Sequence, residues 1–291
     1  MTASPRAPGR AVKIKQGIYA HVPDPLPPRL EWTPALMRSI SEADRLIGWL
    51  AGEGRRLPNP HLLMRPFLAR EAVLSSRIEG TQATLGEVLA ADAGAAVGRS
   101  PDEIRDVANY VAALDHGIER LQTLSLSLGL ILEIHGRLMQ GSGNGLARPG
   151  EFRSTQNWIG SPGCSLADAS YIPPPPEMLM ECLGDLETFL QDTTLPPLAQ
   201  IALAHYQFEA IHPFIDGNGR VGRLLITLFL VERGVLPTPL LYLSAFFEAT
   251  RTHYYERLRR VSTEGDWESW LLYFFNGVAR QAEDALDRAE T

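Results

Sequence analysis

The chain has 291 residues, carries a formal net charge of −7, and is 45% apolar and 21% charged, which is the composition of a globular protein with enough length for one large domain or two small ones. Its acidity, with a pI near 5.6, argues against a nucleic-acid partner, because gripping a polyanion calls for a basic footprint. Two cysteines, Cys164 and Cys182, are too few for a disulfide framework. No apolar run approaches the ~20 residues needed to cross a bilayer, so the expectation is a cytoplasmic protein with no membrane partner.

Residues 1–30 are rich in proline, including Pro23, Pro25, Pro27 and Pro28, and read as an extended arm. At Thr33 a cap followed by Pro34 opens a helix whose apolar stripe is Leu36, Ile40, Ala43, Leu46, Ile47 and Leu50. The Leu-Pro-Asn-Pro of 57–60 breaks it, and a second helix starts near Pro66. That helix carries Ser75 and Glu79 on one face, four residues apart, with Gly80 placed to end it. The glycine- and alanine-rich loop 90–98 then marks a boundary. Three units follow: the arm 1–30, a helical region 31–97 and a core 98–291.

Ser100 and Pro101 open the next helix, with Glu103 in its first turn and Ile104, Val107, Tyr110, Val111, Leu114 and Ile118 inside. Helix 126–139 ends at a glycine cluster, 141–145, which reads as a turn because no Lys-Ser or Lys-Thr follows. The β-branched and aromatic residues of 153–160 and 169–172 predict a short hairpin, the only strand-like segment, before a run of four prolines. Helices are expected over 177–190, 197–210 and 224–233, then through Tyr254 and Tyr255 to Val261, and over 267–279. The fold class is all-α, a helical bundle with that one hairpin.

The richest chemistry lies between the helices 197–210 and 224–233, in Ile-His-Pro-Phe-Ile-Asp-Gly-Asn-Gly-Arg-Val-Gly-Arg, 211–223. Gly217 and Gly219 allow consecutive N–H groups to line one concavity at a helix N-terminus, which attracts phosphate. Arg220 and Arg223 project on one side and can each fork onto phosphate oxygens. Asp216 is a hard ligand suited to Mg²⁺, and His212 has the pKa range of a general base. Taken singly, each admits a plain reading as a core histidine, a turn glycine or a solvated cation. Five such functions within thirteen positions are far more specific.

The segment 212–223 resembles the signature of the Fic domain family, with every defining position filled. The resemblance implies a Fic-type helical bundle and transfer of AMP from ATP, with Mg²⁺, to a hydroxyl side chain of a target protein, the chain itself included. It casts His212 as base, Asp216 as metal ligand, and Gly217, Asn218 and Gly219 as the phosphate cradle. Arg220 falls on the β-phosphate and Arg223 on the γ-phosphate. Ser75 and Glu79 resemble the family's inhibitory helix, in which the glutamate pairs with Arg223; breaking such a desolvated pair commonly costs ~3–5 kcal/mol. Ser170, Tyr171 and Ile172 fall on the flap that holds the target, and Tyr254 is the aromatic assigned to adenine. A de-AMPylating hydrolase, a nucleotide-sensing module and a homodimer stay open as alternatives.

Overall fold

A computed structural model describes residues 7–56, 60–141, 148–161 and 163–289. In chain order these form a hairpin, β1 (Arg10–Lys15) and β2 (Ile18–Val22), followed by helices α1 (Pro34–Arg56), α2 (Pro60–Ile78), α3 (Leu85–Asp92), α4 (Pro101–Arg120), α5 (Leu128–Leu138) and α6 (Pro176–Leu190). Then come α7 (Pro197–Ile211), α8 (Asn218–Glu232), α9 (Ser244–Ala249), α10 (Arg251–Glu264) and α11 (Trp267–Ala289). Among the described residues the architecture is thus helical with one two-stranded antiparallel sheet.

Helices α7 and α8 form the centre. Both are apolar around most of their circumference, and from Leu198 to Phe208 every residue of α7 is buried, which is the pattern of a helix enclosed by others rather than one lying on a surface. They pack on each other, α6 packs on α7, and α4 and α5 pack on α8. The outer helices are amphipathic. In α1, the Thr33 hydroxyl accepts the Leu36 N–H at 3.3 Å, and the buried stripe Leu36, Ile40, Ala43, Leu46, Ile47 and Leu50 lies against α11. One continuous cluster of buried apolar side chains runs from Val22 to Leu286.

Helix α2 matters most for the site. Pro66 lies inside it, and its middle is pinned by Glu71, a carboxylate 2% exposed. Glu71 accepts from the Ser244 hydroxyl and N–H of α9 and from the Tyr110 hydroxyl of α4, the latter at 3.2 Å. Burial raises its pKa, so these donors stand in for lost water.

The hairpin is not where the sequence placed it. Strands β1 and β2 lie within the arm, in the alternating run Arg-Ala-Val-Lys-Ile-Lys followed by Ile-Tyr-Ala-His-Val. The segment read as a hairpin keeps one bridge, Ile159 to Tyr171. The reason is chemical: Pro173 to Pro176 follow at once, and proline has no N–H to extend a ladder. The cluster 142–145 and the break 57–59 lie outside the described residues. No described helix is long and apolar enough to cross a membrane.

Candidate active site

The loop joining α7 to α8 is held from three sides. His212 caps α7 in the left-handed region, φ 49°, a conformation uncommon for a residue with a side chain and concentrated at functional sites. Its carbonyl accepts from Arg153 Nε at 2.9 Å and from Asn157 Nδ2 at 3.1 Å. Asn157 also donates to the Phe214 carbonyl at 2.7 Å, and the Arg153 N–H bonds the Pro213 carbonyl at 2.9 Å. From the third side comes His135 of α5. Its Nδ1 accepts the Gly150 N–H at 3.0 Å, so Nε2 carries the proton and donates to the Asp216 carbonyl at 3.1 Å. Burial lowers the His135 pKa to about 4, which keeps that tautomer neutral, and its ring stacks on Phe214 with centroids 3.7 Å apart.

Beyond the loop, Gly217 sits at φ 82° as the N-cap of α8. A side chain there would be strained and would strike Met139 Sδ at 2.8 Å. The first backbone bond of α8 runs from the Val221 N–H to the Gly217 carbonyl at 3.0 Å. The N–H groups of Asn218, Gly219 and Arg220 therefore precede the ladder and form the anion-seeking end of the helix. The side chain of Asn218, expected to cradle phosphates, is committed elsewhere. It is 3% exposed, and its amide both accepts from the Phe214 N–H and donates to the Phe214 carbonyl, each at 2.8 Å. It shapes the loop from within.

A carboxylate already lies at this helix end. Glu79, one residue past α2, has an oxygen in the space that a β-carbon on Gly219 would need, and it accepts from Arg223 Nη2 at 2.7 Å. Ser75 holds the same guanidinium, its hydroxyl accepting from Nε at 2.8 Å and its carbonyl from Nη2 at 3.0 Å. Nη1 is buried without a hydrogen-bond partner. Burial alone would lower the Arg223 pKa; the charge of Glu79, with smaller contributions from neighbouring tyrosines and Glu209, outweighs it and drives it upward. The Arg223 side chain is 1% exposed and that of Glu79 38%, so water reaches the acid. The pair then belongs between the exposed and buried limits, about 1–3 kcal/mol, below the value expected for a fully desolvated bridge.

The other cation, Arg220, stands between two carboxylates, Asp216 at 3.7 Å and Asp106 of α4 at 3.6 Å. Asp216 accepts the Gly217 N–H at 2.6 Å. Among the described residues no three His, Cys, Asp or Glu side chains gather as a metal cage. Asp216 and Asp106 are carboxylates of the kind that Mg²⁺ takes one or two at a time beside phosphate oxygens. Burial, helped by the Arg153 cation, lowers the His212 pKa to about 4, so the imidazole is unprotonated at neutral pH and able to accept a proton. One turn earlier, burial raises the Glu209 carboxyl to about 7.

Two assignments change on contact with the structure. Tyr254 cannot offer a face to adenine: it is 1% exposed, and its hydroxyl bonds His205 Nε2 at 2.8 Å. Its neighbour Tyr255 is 41% exposed, with the Arg251 guanidinium 5.7 Å over its ring. On the flap, Tyr171 donates to the Ala210 carbonyl at 2.8 Å and Ser170 to the Ile159 carbonyl at 2.8 Å. The Ile172 carbonyl is taken by the His21 N–H of β2 at 2.8 Å. One backbone bond thus ties the arm's hairpin to the flap read as holding the target. Sequence reasoning passed over His135, Asn157, Asp106 and Glu209 as site residues, and treated Arg153 only as flank. None has a local motif, since each reaches the loop from another element or from a neighbouring helical turn.

Residues 37–119 match the Fic/DOC family N-terminal region, and residues 125–230 match the Fic/DOC family domain itself. Among curated relatives, the protein adenylyltransferase fic-1 of Caenorhabditis elegans is 32% identical over 222 residues, covering 72% of this chain and 39% of that protein. The protein adenylyltransferase Fic of Drosophila grimshawi is 33% identical over 197 residues, covering 65% and 36%. The chain thus spans less than two-fifths of the length of each. Among solved structures, a Fic family protein from Desulfovibrio desulfuricans superposes with a TM-score of 0.77 at 27% identity, over 91% of this chain and 78% of that one. A 134–508 fragment of C. elegans Fic-1 gives 0.65 at 27% identity, over 88% and 73%.

Proposed function

Because the chain belongs to the Fic/DOC family, we propose that it transfers AMP from ATP to a hydroxyl side chain of a protein, and that Glu79 restrains it. The observation that carries this reading is the Glu79 carboxylate lying on Gly219 and bonded to Arg223; on this reading it stands in for a nucleotide's terminal phosphate at the helix end. The relatives named as protein adenylyltransferases support the direction of the chemistry.

In the reaction, the target oxygen forms a bond to the α-phosphorus while the bond from that phosphorus to the β-bridging oxygen breaks, releasing pyrophosphate. The target proton passes to the unprotonated imidazole of His212, whose backbone placement is fixed by the bonds on its own carbonyl. The leading amides of α8 receive phosphate oxygens, and Arg220 and Arg223 meet the charge that builds on the leaving group. Asp216 would hold a Mg²⁺ carried by the nucleotide, which would neutralise phosphate charge. Tyr255, the exposed member of the tyrosine pair, is the side chain suited to stack on the base. With β2 on the outer side of Ile172, the target backbone is left the edge around Trp158, which is 40% exposed.

Incubation with α-labelled ATP tests the transfer reading. Glu79→Gly is expected to label itself or a lysate protein about tenfold or more above the parent chain, in line with removal of a pair worth roughly 1–3 kcal/mol. In Glu79→Gly, adding His212→Ala should abolish labelling while calorimetric ATP affinity stays within about threefold. Equal labelling with and without Glu79 would end the restraint claim, and labelling that survives loss of His212 would end its role as base.

A further inference from the structure

Arg220 is the less secured of the two cations in the loop. Its side chain is 8% exposed, yet neither flanking carboxylate reaches hydrogen-bond distance: Nη1 stands 3.6 Å from Asp106 Oδ2 and Nη2 3.7 Å from Asp216 Oδ1. Its remaining contact is a weak one, from Nη2 to Met139 Sδ at 3.5 Å, and Nε is buried with no partner. Charge rather than hydrogen bonding keeps the guanidinium where it is.

The two carboxylates differ in what they are free to do. Asp216 sits in the loop itself and is the residue best suited to a cation carried by phosphate. Asp106 belongs to the body of α4, half-buried among Arg220, Asp216, Arg105 and Asp102. Its helix is tied to the site one turn further on, where Asn109 Nδ2 donates to the carbonyls of Leu138 and Gln140 at 3.2 and 2.7 Å. Those two carbonyls bracket Met139, so α4 fixes both Asp106 and the sulfur that touches Arg220.

We propose that Asp106 is the positioning residue for Arg220, the fixed carboxylate that keeps the guanidinium aimed at the phosphates once Asp216 turns to a nucleotide-borne cation. The idea rests on the nucleotide site proposed above. It follows that the anchor of one motif arginine comes from α4, outside the motif and outside the matched domain of residues 125–230. Asp106 acts through Arg220. Its effect should be largest where Arg220 acts, on charge developing in the leaving pyrophosphate, and smaller on the way the guanidinium meets a bound ground-state phosphate.

The test uses the full chain in the Glu79→Gly background. Asp106→Asn is expected to lower kcat by about tenfold or more with KM for ATP changed by less than about threefold. Asp106→Glu should recover most of the rate. In a chain already carrying Arg220→Ala, Asp106→Asn should have almost no further effect, since residues acting through one another are non-additive. An unchanged kcat, or an equal loss with and without Arg220, would overturn the proposal. Should Glu79→Gly show no AMP transfer at all, the function falls and the positioning role is read from Mg-ADP calorimetry. A change in binding enthalpy on Asp106→Asn that vanishes in Arg220→Ala supports the role. The same change in both, or none in either, removes it.

Discussion

Glu209 shows how much one buried group can depend on its surroundings. It stands one turn before His212, has one oxygen buried with no hydrogen-bond partner, and feels the opposing charges of Arg223 and Glu79. Burial sets its folded pKa at about 7, above the ordinary carboxylate value of 4.5. A group whose pKa rises on folding contributes stability that is fully present below its unfolded pKa and is lost as pH climbs through the folded one. Replacing it by an uncharged isostere should therefore help most in alkali. We expect Glu209→Gln to melt close to the parent chain at pH 5 and to be more stable by roughly 1–3 kcal/mol at pH 8. Thermal melts across that range check the sign; a gap that narrows with rising pH would show that Glu209 is held ionised by Arg223.

At the scale of the element, α2 is a rod fastened in its middle, with Glu79 just past its tip. Glu71 ties it to α4 and α9 through Tyr110 and Ser244, two turns from Glu79. Glu71→Ala leaves those donors buried without an acceptor, which should cost about 2–3 kcal/mol in denaturant unfolding. It should also raise basal AMP labelling, because the tip loses its reference point. Glu71→Gln preserves shape and one acceptor, and should cost less on both measures. If Glu71→Ala destabilises the chain while leaving labelling at the parent level, the fastening and the restraint are independent.

Across the whole molecule, what could be read from sequence was what is local. The stripe of α1, the Ser100 and Pro101 start of α4 and the glycine turn into α8 follow from rules spanning a few residues, and the structure shows them in those places. The hairpin went to the wrong segment because the prolines at 23–28 overshadowed the alternation just before them, while aromatic and β-branched residues drew attention to 153–172. Site residues followed the same division. His212, Asp216 and the two arginines announce themselves by spacing. The inward turn of Tyr254 depends on His205, 49 positions away, and the bracing by His135, Arg153 and Asn157 depends on which carbonyls the fold brings near. Long-range hydrogen bonds leave no periodicity behind them.

Arg223 is gripped twice by the same stretch of chain, and the two grips are of different kinds. Ser75 belongs to the regular body of α2 and holds Nε and Nη2; Glu79 lies past the last helical residue, in a turn that ends at Gly80 with φ 105°. Withdrawing the acid needs rotation about only a few bonds beyond Ile78, and it leaves the guanidinium still clasped by serine, with Nη1 available to a newcomer. If Glu79 restrains transfer as proposed, its release needs no rigid-body displacement of helices, because the turn beyond Ile78 can move while Ser75 stays in place.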